Sequence, residues 1–277
     1  MMAELAAAVL AVPAAAQQRP LLTEDPEAIG AGRVLLEGGV EAAYKQKYPV
    51  SGLQGNLVKI PTIGVSIGIS PIAEMQIDGG FFNRLAIRDR NPGAPLARLV
   101  DVTGAATRDV EDMIIGMKVR LAPEGLRRPS FGFRFATKLP NADTEHGLGP
   151  DTLDFFASVL SAKTHESLRI VGNIGLGILS DATDGTRQND VLTYGISLAR
   201  ALTARAEFVG EVNGRVSTRA GAAFPGTETR GQMRFGARYT RNPVRLDAGL
   251  YFGLTPDDPK VGLTFGATYV FNAFTLP

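Results

Sequence analysis

Residues 261–271, Val-Gly-Leu-Thr-Phe-Gly-Ala-Thr-Tyr-Val-Phe, repeat with a period of two: every odd position is apolar, and the even ones as far as Thr268 are only Gly and Thr. An extended chain sends alternate side chains to opposite faces, so this stretch is a strand with one apolar face and one small, polar face. The stretch before it sets Val244, Leu246, Ala248, Leu250, Phe252 and Leu254 against Arg245, Asp247, Gly249, Tyr251 and Gly253. Further upstream, Gln232, Arg234, Gly236 and Arg238 alternate with Met233, Phe235, Ala237 and Tyr239. A chain patterned this way along its length is all-β.

From Arg33 onward the pattern gives twelve segments, near 33–46, 56–69, 73–85, 109–122, 129–139, 151–163, 167–179, 190–200, 202–216, 229–241, 243–254 and 260–272. Each is about the length that a tilted strand needs to cross a bilayer, ~9–11 residues. Tight connections follow the even segments: Ser70-Pro71-Ile72, the stretch around Pro123-Glu124-Gly125, Thr164-His165-Glu166, Ala201 and Asn242. Longer, more polar ones follow the odd segments, at 47–55, 86–108, 140–150, 180–189 and 217–228. Short turns at one rim and long loops at the other are expected of a single transmembrane, antiparallel, up-and-down β-barrel of about 12 strands. The 86–108 loop, with Asn91-Pro92-Gly93-Ala94-Pro95, either folds over or into the mouth or stays disordered outside it.

A soluble barrel also alternates, but it turns its apolar face inward, and a twelve-strand interior would need large side chains to fill it. Here the polar face is charged and glycine-rich. Leu168, Ile170, Ile174, Leu176 and Ile178, for example, oppose Arg169, Asn173, Gly175 and Gly177. Lipid outside and water inside fits this better than a soluble all-β barrel. Tyr44, Phe81, Phe131, Phe155, Tyr194, Phe208, Phe235, Tyr239, Phe252, Tyr269 and Phe271 then face membrane lipid, some in interfacial girdles. Lys59, Lys163 and Arg200 fall on the same face by strict register, each near a strand end where its side chain reaches the headgroups. Average composition hides all this, since 44% hydrophobic and 21% charged is ordinary for a soluble domain. A net charge of +1 supplies no basic stripe for nucleic acid. Without cysteine there is neither a disulfide nor a thiolate metal site, and no bound cofactor is implied.

Residues 3–16 are a short apolar run ending in Ala-x-Ala, so residues 1–16 are expected to be a signal peptide cleaved after Ala16, although the usual positive start is missing; an amphipathic helix is the alternative. Residues 17–32 are expected to form a periplasmic turn segment, 33–274 the barrel and 275–277 a tail. Within the turn segment, Leu22 to Gly32 places three acids around Pro26 and ends in two glycines. Such a turn is either solvated or dips into the barrel to pair with arginines there. The ending Tyr269-Val270-Phe271 resembles the aromatic C-terminal signal of bacterial outer-membrane β-barrels. That resemblance implies the outer membrane of a Gram-negative bacterium, outer-membrane lipid as surroundings, and the barrel-assembly machinery as a partner through Tyr269 and Phe271. The stretch 22–32 followed by an alternating strand resembles the entry motif of a family of outer-membrane proteins named for the meta-pathway of phenol degradation. A transporter-like role toward small aromatic or other hydrophobic compounds is what this second resemblance implies.

By register the inner face carries Glu37, Glu41, Lys45, Glu74, Gln76, Asp78, Arg84, Asp112, Lys118, Arg120, Arg134, Lys138, Asp154, Arg169, Asn173, Arg205, Glu207, Glu211, Asn213, Arg215, Gln232, Arg234, Arg238, Arg245, Asp247 and Tyr251. Twelve of these are basic and nine acidic, a slight positive excess that favours a small anion if the passage is open. If acids and bases pair across neighbouring strands, they close it. The expected function is passive diffusion of a small-molecule permeant, aromatic or anionic. A barrel hydrolase and a closed structural barrel are the alternatives.

Three motifs bear on the hydrolase, and two more on a bound ion or nucleotide. Gly64-Val65-Ser66-Ile67-Gly68 matches G-x-S-x-G, but that motif works on a strained strand-to-helix turn and here lies inside a strand. His165-Glu166-Ser167 resembles the His-x-Ser of outer-membrane phospholipases, yet Leu168-Arg169-Ile170 stands where Asn-Gly-Arg is expected, and at the wrong rim. His146 shares an outer loop with Asp143 and Glu145, where a solvated loop is the plainer reading. Asp181-Ala182-Thr183-Asp184-Gly185 has calcium-loop residues without EF-hand spacing, and Gly30-Ala31-Gly32 lacks the third glycine and the helix of a dinucleotide site.

Overall fold

The computed structural model describes residues 19–275, so the expected signal peptide lies outside the described residues. The strands are β1 (Arg33–Tyr48), β2 (Leu53–Gly68), β3 (Ala73–Gly80), β4 (Asn83–Arg90), β5 (Ala106–Asp109), β6 (Ile114–Ala122), β7 (Ser130–Lys138), β8 (Asp154–His165), β9 (Leu168–Ser180), β10 (Gln188–Ala201), β11 (Ala206–Ser217), β12 (Arg230–Arg241), β13 (Val244–Gly253) and β14 (Val261–Asn272). All pair antiparallel, and β1 closes the sheet by pairing with both β14 and β2. Because β3 and β4 pair with successive halves of β2, and β6 and β5 pair with them in turn, each couple is one stave broken midway. The barrel therefore has twelve staves. No helix is long and apolar enough to cross a membrane among the described residues.

Alternation decides inside from outside as an inverted barrel requires. Ile174, Leu176, Ile196 and Phe265 are 55–59% exposed on the outer face, whereas Glu74 and Lys118 are fully buried inside. Closure leaves the staves no unpaired edge except at the short β5, which pairs with β4 alone. The outer apolar face is therefore not buried by a protein core of this chain.

Three staves break the strict register together. Ile60 and Pro61 of β2 stand opposite the single residue Val40 of β1, a bulge at a residue with no N–H to give the ladder. The extra residue reverses the alternation, and β3/β4 and β5/β6 follow in step, since Thr62 pairs with Gly80 but Lys59 with Asn83, and Asn83 in turn with Asp109. Lys59, expected outside, therefore points inward and pairs with Glu111. Arg84, expected inside, is exposed on the outer face opposite Arg108. Lys45 leaves the inner face for a similar reason. It takes φ 57° at a register shift between Ala43 and Gln46, and its ammonium lies 5.7 Å from the ring of exposed Tyr44.

Connections differ from expectation where strands run on. The first loop is only residues 49–52, not 47–55, while the turn at Pro123 spans 123–129. The loop that starts at Asn91 is ordered over the mouth: its Leu96 and Asp101 amides donate to the Val50 and Glu145 carbonyls at 2.9 Å. Val100 from this loop and Leu148 from the next pack on Ala43, Leu53, Leu57, Leu85 and Tyr251, an apolar cluster on the inside of the barrel near the long-loop rim.

Candidate functional site

The segment 19–30 lies inside the barrel as a strap that circles the wall, so of the two alternatives for its acidic turn the one that dips in to pair with arginines holds and the solvated one does not. Arg19 begins near mid-height, donating to Thr62, to Thr264 and to the Phe265 carbonyl at 2.9–3.0 Å. From there the strap passes the staves in reverse order. The Arg238 guanidinium donates to the Arg19 carbonyl at 2.7 Å, and the amides of Leu22 and Thr23 donate to the Glu211 carboxylate at 2.8 Å. Glu24 faces Arg134 at 3.1 Å and Lys118 at 3.4 Å. Asp25 takes two bonds from Arg169, at 2.5 and 2.7 Å, Glu27 pairs with Arg120, and the Ile29 amide donates to Glu74 at 2.7 Å. Gly30 and Gly32, with φ of 94° and 71°, then turn the chain into β1.

Small residues of the inner face make room for this path. A Cβ on Gly236 would come within 2.7 Å of Pro20, on Gly249 within 3.0 Å of Pro20, on Gly195 within 2.8 Å of Thr23, and on Gly132 within 3.0 Å of Pro26. Real Cβ atoms essentially never come as close as at Gly236 and Gly195 and seldom as close as at Gly249 and Gly132, so these glycines are a fitted track and not merely a bare wall.

The strap divides the lumen. On the long-loop side lie two cavities of about 650 and 440 Å³, sharing Leu22, Glu24, Gln46 and Arg134 in their linings. On the short-turn side lies one of about 280 Å³, lined by Leu21, Asp25, Arg169, Glu207, Arg238 and Arg245. Leu21 and Thr23 appear on both sides. Along the strap itself, Leu22 and Glu24 face one way and Asp25 the other.

Of the residues assigned to the inner face, Glu37, Glu41, Asp78, Arg134, Lys138, Arg234 and Tyr251 line the largest cavity, with Asp112 and Gln232. Arg215 and Asn213 line the second. Glu74, Lys118, Asp154, Glu211 and Asp247 are buried in the wall. Arg120 sits at the short-turn end against Glu27. Arg205 is not on the wall: it lies exposed in the turn 202–205, because β11 starts only at Ala206. Arg19, Asn83 and Glu111 were missed. The acids of 24–27 and the inward glycines carried the signal for the strap, whereas nothing local showed that Lys59 would turn inward.

The positive excess counted along the sequence does not survive folding. Lys118 pairs with Glu74 at 3.0 Å as well as with Glu24, and Lys138 bridges Asp112 and Asp154 at 3.0 and 3.1 Å. Lys59 is taken by Glu111, Arg19 by Asp247 at 3.5 Å, and Arg234 by Glu211 at 3.7 Å.

The residues of the hydrolase motifs do not assemble. Ser66 sits mid-strand in the β2 ladder between Leu35 and Gln76. His165 ends β8 at the short-turn rim, while His146 is at the other rim with Nδ1 3.5 Å from Asp109 rather than from Asp143 or Glu145. In the 181–187 loop, Arg187 lies 2.7 Å from Oδ2 of Asp181, and the Thr183 amide and hydroxyl donate to Oδ1. No group of His, Asp and Glu placed to hold a metal occurs among the described residues.

Comparison with known families finds no match, and comparison with curated proteins finds none either. Solved structures do match. The translocator domain of the autotransporter NalP from Neisseria meningitidis aligns over 87% of this chain and 89% of its own, at 13% identity and a TM-score of 0.50. The NanC porin covers 86% and 100% at 8% identity and TM-score 0.49, and the outer-membrane channel DcaP of Acinetobacter baumannii 86% and 96% at 10% and 0.43. At such identities the likeness is one of fold, and the fold is the closed antiparallel barrel of outer-membrane proteins.

Proposed function

We infer that this chain is an outer-membrane channel for small molecules that its own N-terminal strap holds closed. The observation that carries this reading is the inverted barrel with hydrated-size cavities on both sides of a segment that is not part of the wall. An apolar exterior and a closed ladder suit a bilayer and nothing else. The strap is tied to the wall mostly by side-chain bonds, so it can leave while every stave stays paired. A barrel of this size with the strap in place is narrow; with the strap displaced, the two cavity systems join.

The aromatic or anionic permeant expected from the sequence draws little support from the lumen, where the bases are already engaged by acids. A small permeant bearing hydrogen-bonding groups is the reading that the cavities favour.

Single-channel recording of the refolded chain in a planar bilayer tests it, beside a variant with Asp25→Asn and Glu27→Gln. Rare openings in the wild type and frequent ones in the variant are expected. Silence from both, with the barrel shown to be folded, refutes the channel and leaves a closed structural barrel.

A further inference from the structure

One arc of the outer face is basic rather than apolar. It carries Lys45 and Lys47 on β1, Arg84 and Arg88 on β4, and Arg108 on β5. Lys47 stands between Gln46, which lines the largest cavity, and Tyr48, which packs on the inner apolar cluster, so it faces outward. Arg84 likewise stands between buried Asn83 and buried Leu85, and Arg108 follows buried Thr107. Arg84, Arg88 and Arg108 are all exposed.

Pairing also gives their height. Lys47 is opposite Gln54, Arg88 falls at the bulge between Gln54 and Gly55, the Lys45 amide donates to Asn56 Oδ1, and Arg84 is opposite both Val58 and Arg108. All therefore lie within ~16 Å, along the strand, of the end of β2 at Leu53 on the long-loop rim. Below that level the same arc is apolar, with Ile60, Phe81 and Phe82 exposed. An outward arginine is tolerated where headgroups begin and is costly at mid-bilayer, so the boundary of the lipid core falls at Arg84 and Arg108.

The protein does not neutralise this patch. Of the other bases on the four strands, Arg33 donates to the Ile29 carbonyl, Lys59 is held inside by Glu111, and Arg90 donates to the Val102 and Gly104 carbonyls. Of their acids, Glu37 and Glu41 line the cavity, and Asp109 takes the Asp143 amide and faces His146. Only Asp89 shares the exposed stretch. Among the described residues no carboxylate comes within 4 Å of Lys45, Lys47, Arg84, Arg88 or Arg108. Arg108 lies instead 6.0 Å from the Phe82 ring, and Lys45 5.7 Å from that of Tyr44. Two arginines directly opposite on one face repel until an anion joins them.

We propose that this arc binds the phosphate of an outer-leaflet lipid headgroup, gripped by Arg84 and Arg108 from two adjacent strands. Phosphate oxygens accept paired bonds from a guanidinium fork, and clustered bases beside a membrane-spanning wall suit anionic headgroups. Arg88, Lys45 and Lys47 extend the grip toward the mouth, while Tyr44 and Phe82 lie at the level where aromatic rings border the acyl chains. The loop after β4 folds over the mouth and leaves the three arginines uncovered. Because the site is on the outside of the wall, it does not depend on whether the lumen conducts.

Native mass spectrometry of the full refolded chain tests this, with equimolar phosphatidic acid, phosphatidylglycerol and phosphatidylcholine of identical acyl chains in an uncharged detergent. Phosphatidic acid, whose phosphate is an exposed monoester, is expected to be retained about tenfold more than phosphatidylcholine, the worth of one charge-assisted bond. Arg84→Gln with Arg108→Gln should abolish that preference, and Arg84→Lys with Arg108→Lys should keep part of it. Arg200→Gln, at the short-turn end of β10, should leave it unchanged. Lys47→Gln with Arg88→Gln, nearer the mouth, should lose a smaller part and gives a second reading should the first variant not fold. Equal retention of the three lipids, or an unchanged preference in the folded variants, overturns the site. Displacement of the lipid by millimolar inorganic phosphate overturns the lipid as its occupant.

Discussion

Changing Asp25 to Asn should release the strap about 30-fold more often. Its carboxylate takes two bonds from Arg169, Nε to Oδ2 at 2.5 Å and Nη2 to Oδ1 at 2.7 Å, with side chains 9% and 20% exposed. Removing one partner of a fully buried pair costs ~3–5 kcal/mol. Arg169, however, keeps Glu124 and the Thr164 hydroxyl, at 3.1 and 2.8 Å, so its charge is not orphaned. The loss is therefore that of about one charge-assisted hydrogen bond, ~2 kcal/mol. At ~1.4 kcal/mol per tenfold, the undocked population rises about 30-fold. The chain has no cysteine, so a reporter can be introduced cleanly. Leu21→Cys is suited, since Leu21 is 5% exposed while the strap is docked. When redocking outpaces labelling, the rate with a small thiol reagent follows the undocked fraction. A rise of about 30-fold on adding Asp25→Asn is expected. A rise below threefold in a folded barrel would refute both the importance of this pair and the link between labelling and undocking.

Gly236→Leu should expel Pro20 from its track and give long openings in bilayer recordings, whereas Gly172→Ala, with open space around its Cβ, should leave gating unchanged. Lys118→Met leaves Glu74 buried without its cation, and urea unfolding of the barrel should show a loss of ~3–5 kcal/mol. Glu124 titrates out of the ordinary range: burial opposes its ionisation, but the Thr164 amide and hydroxyl and the Lys163 ammonium outweigh this and hold its pKa down. Because the folded value is the lower one, its stabilisation is complete above the ordinary carboxylate pKa of ~4.3 and is lost as pH falls through the folded value. The stability gap between wild type and Glu124→Gln should therefore shrink between pH 7 and pH 3 in thermal melts. Arg205→Ala, at an exposed turn, should alter neither conductance nor ion preference, whereas Arg134→Ala should alter both.

The period of two, read from Val261 to Phe271 and back to Arg33, determined the class, the number of staves and which rim carries the long loops. It could do so because side-chain alternation is a local property of extended backbone, and each stave declares its two faces without knowing its neighbours. Register is not local. The bulge at Ile60 and Pro61 reversed the faces of three staves at once, moving Lys59 inward and Arg84 outward, and only the pairing with Val40 and Gly80 fixes where that reversal falls. Charge balance is not local either. Arg120, Arg134 and Arg169 read as a basic lumen until Glu27, Glu24 and Asp25, roughly a hundred residues or more away in the chain, are found against them. The acids of the strap and the inward glycines were both plain in the sequence. That they fit one another was decided by barrel closure, which alone brings twelve staves around a single segment.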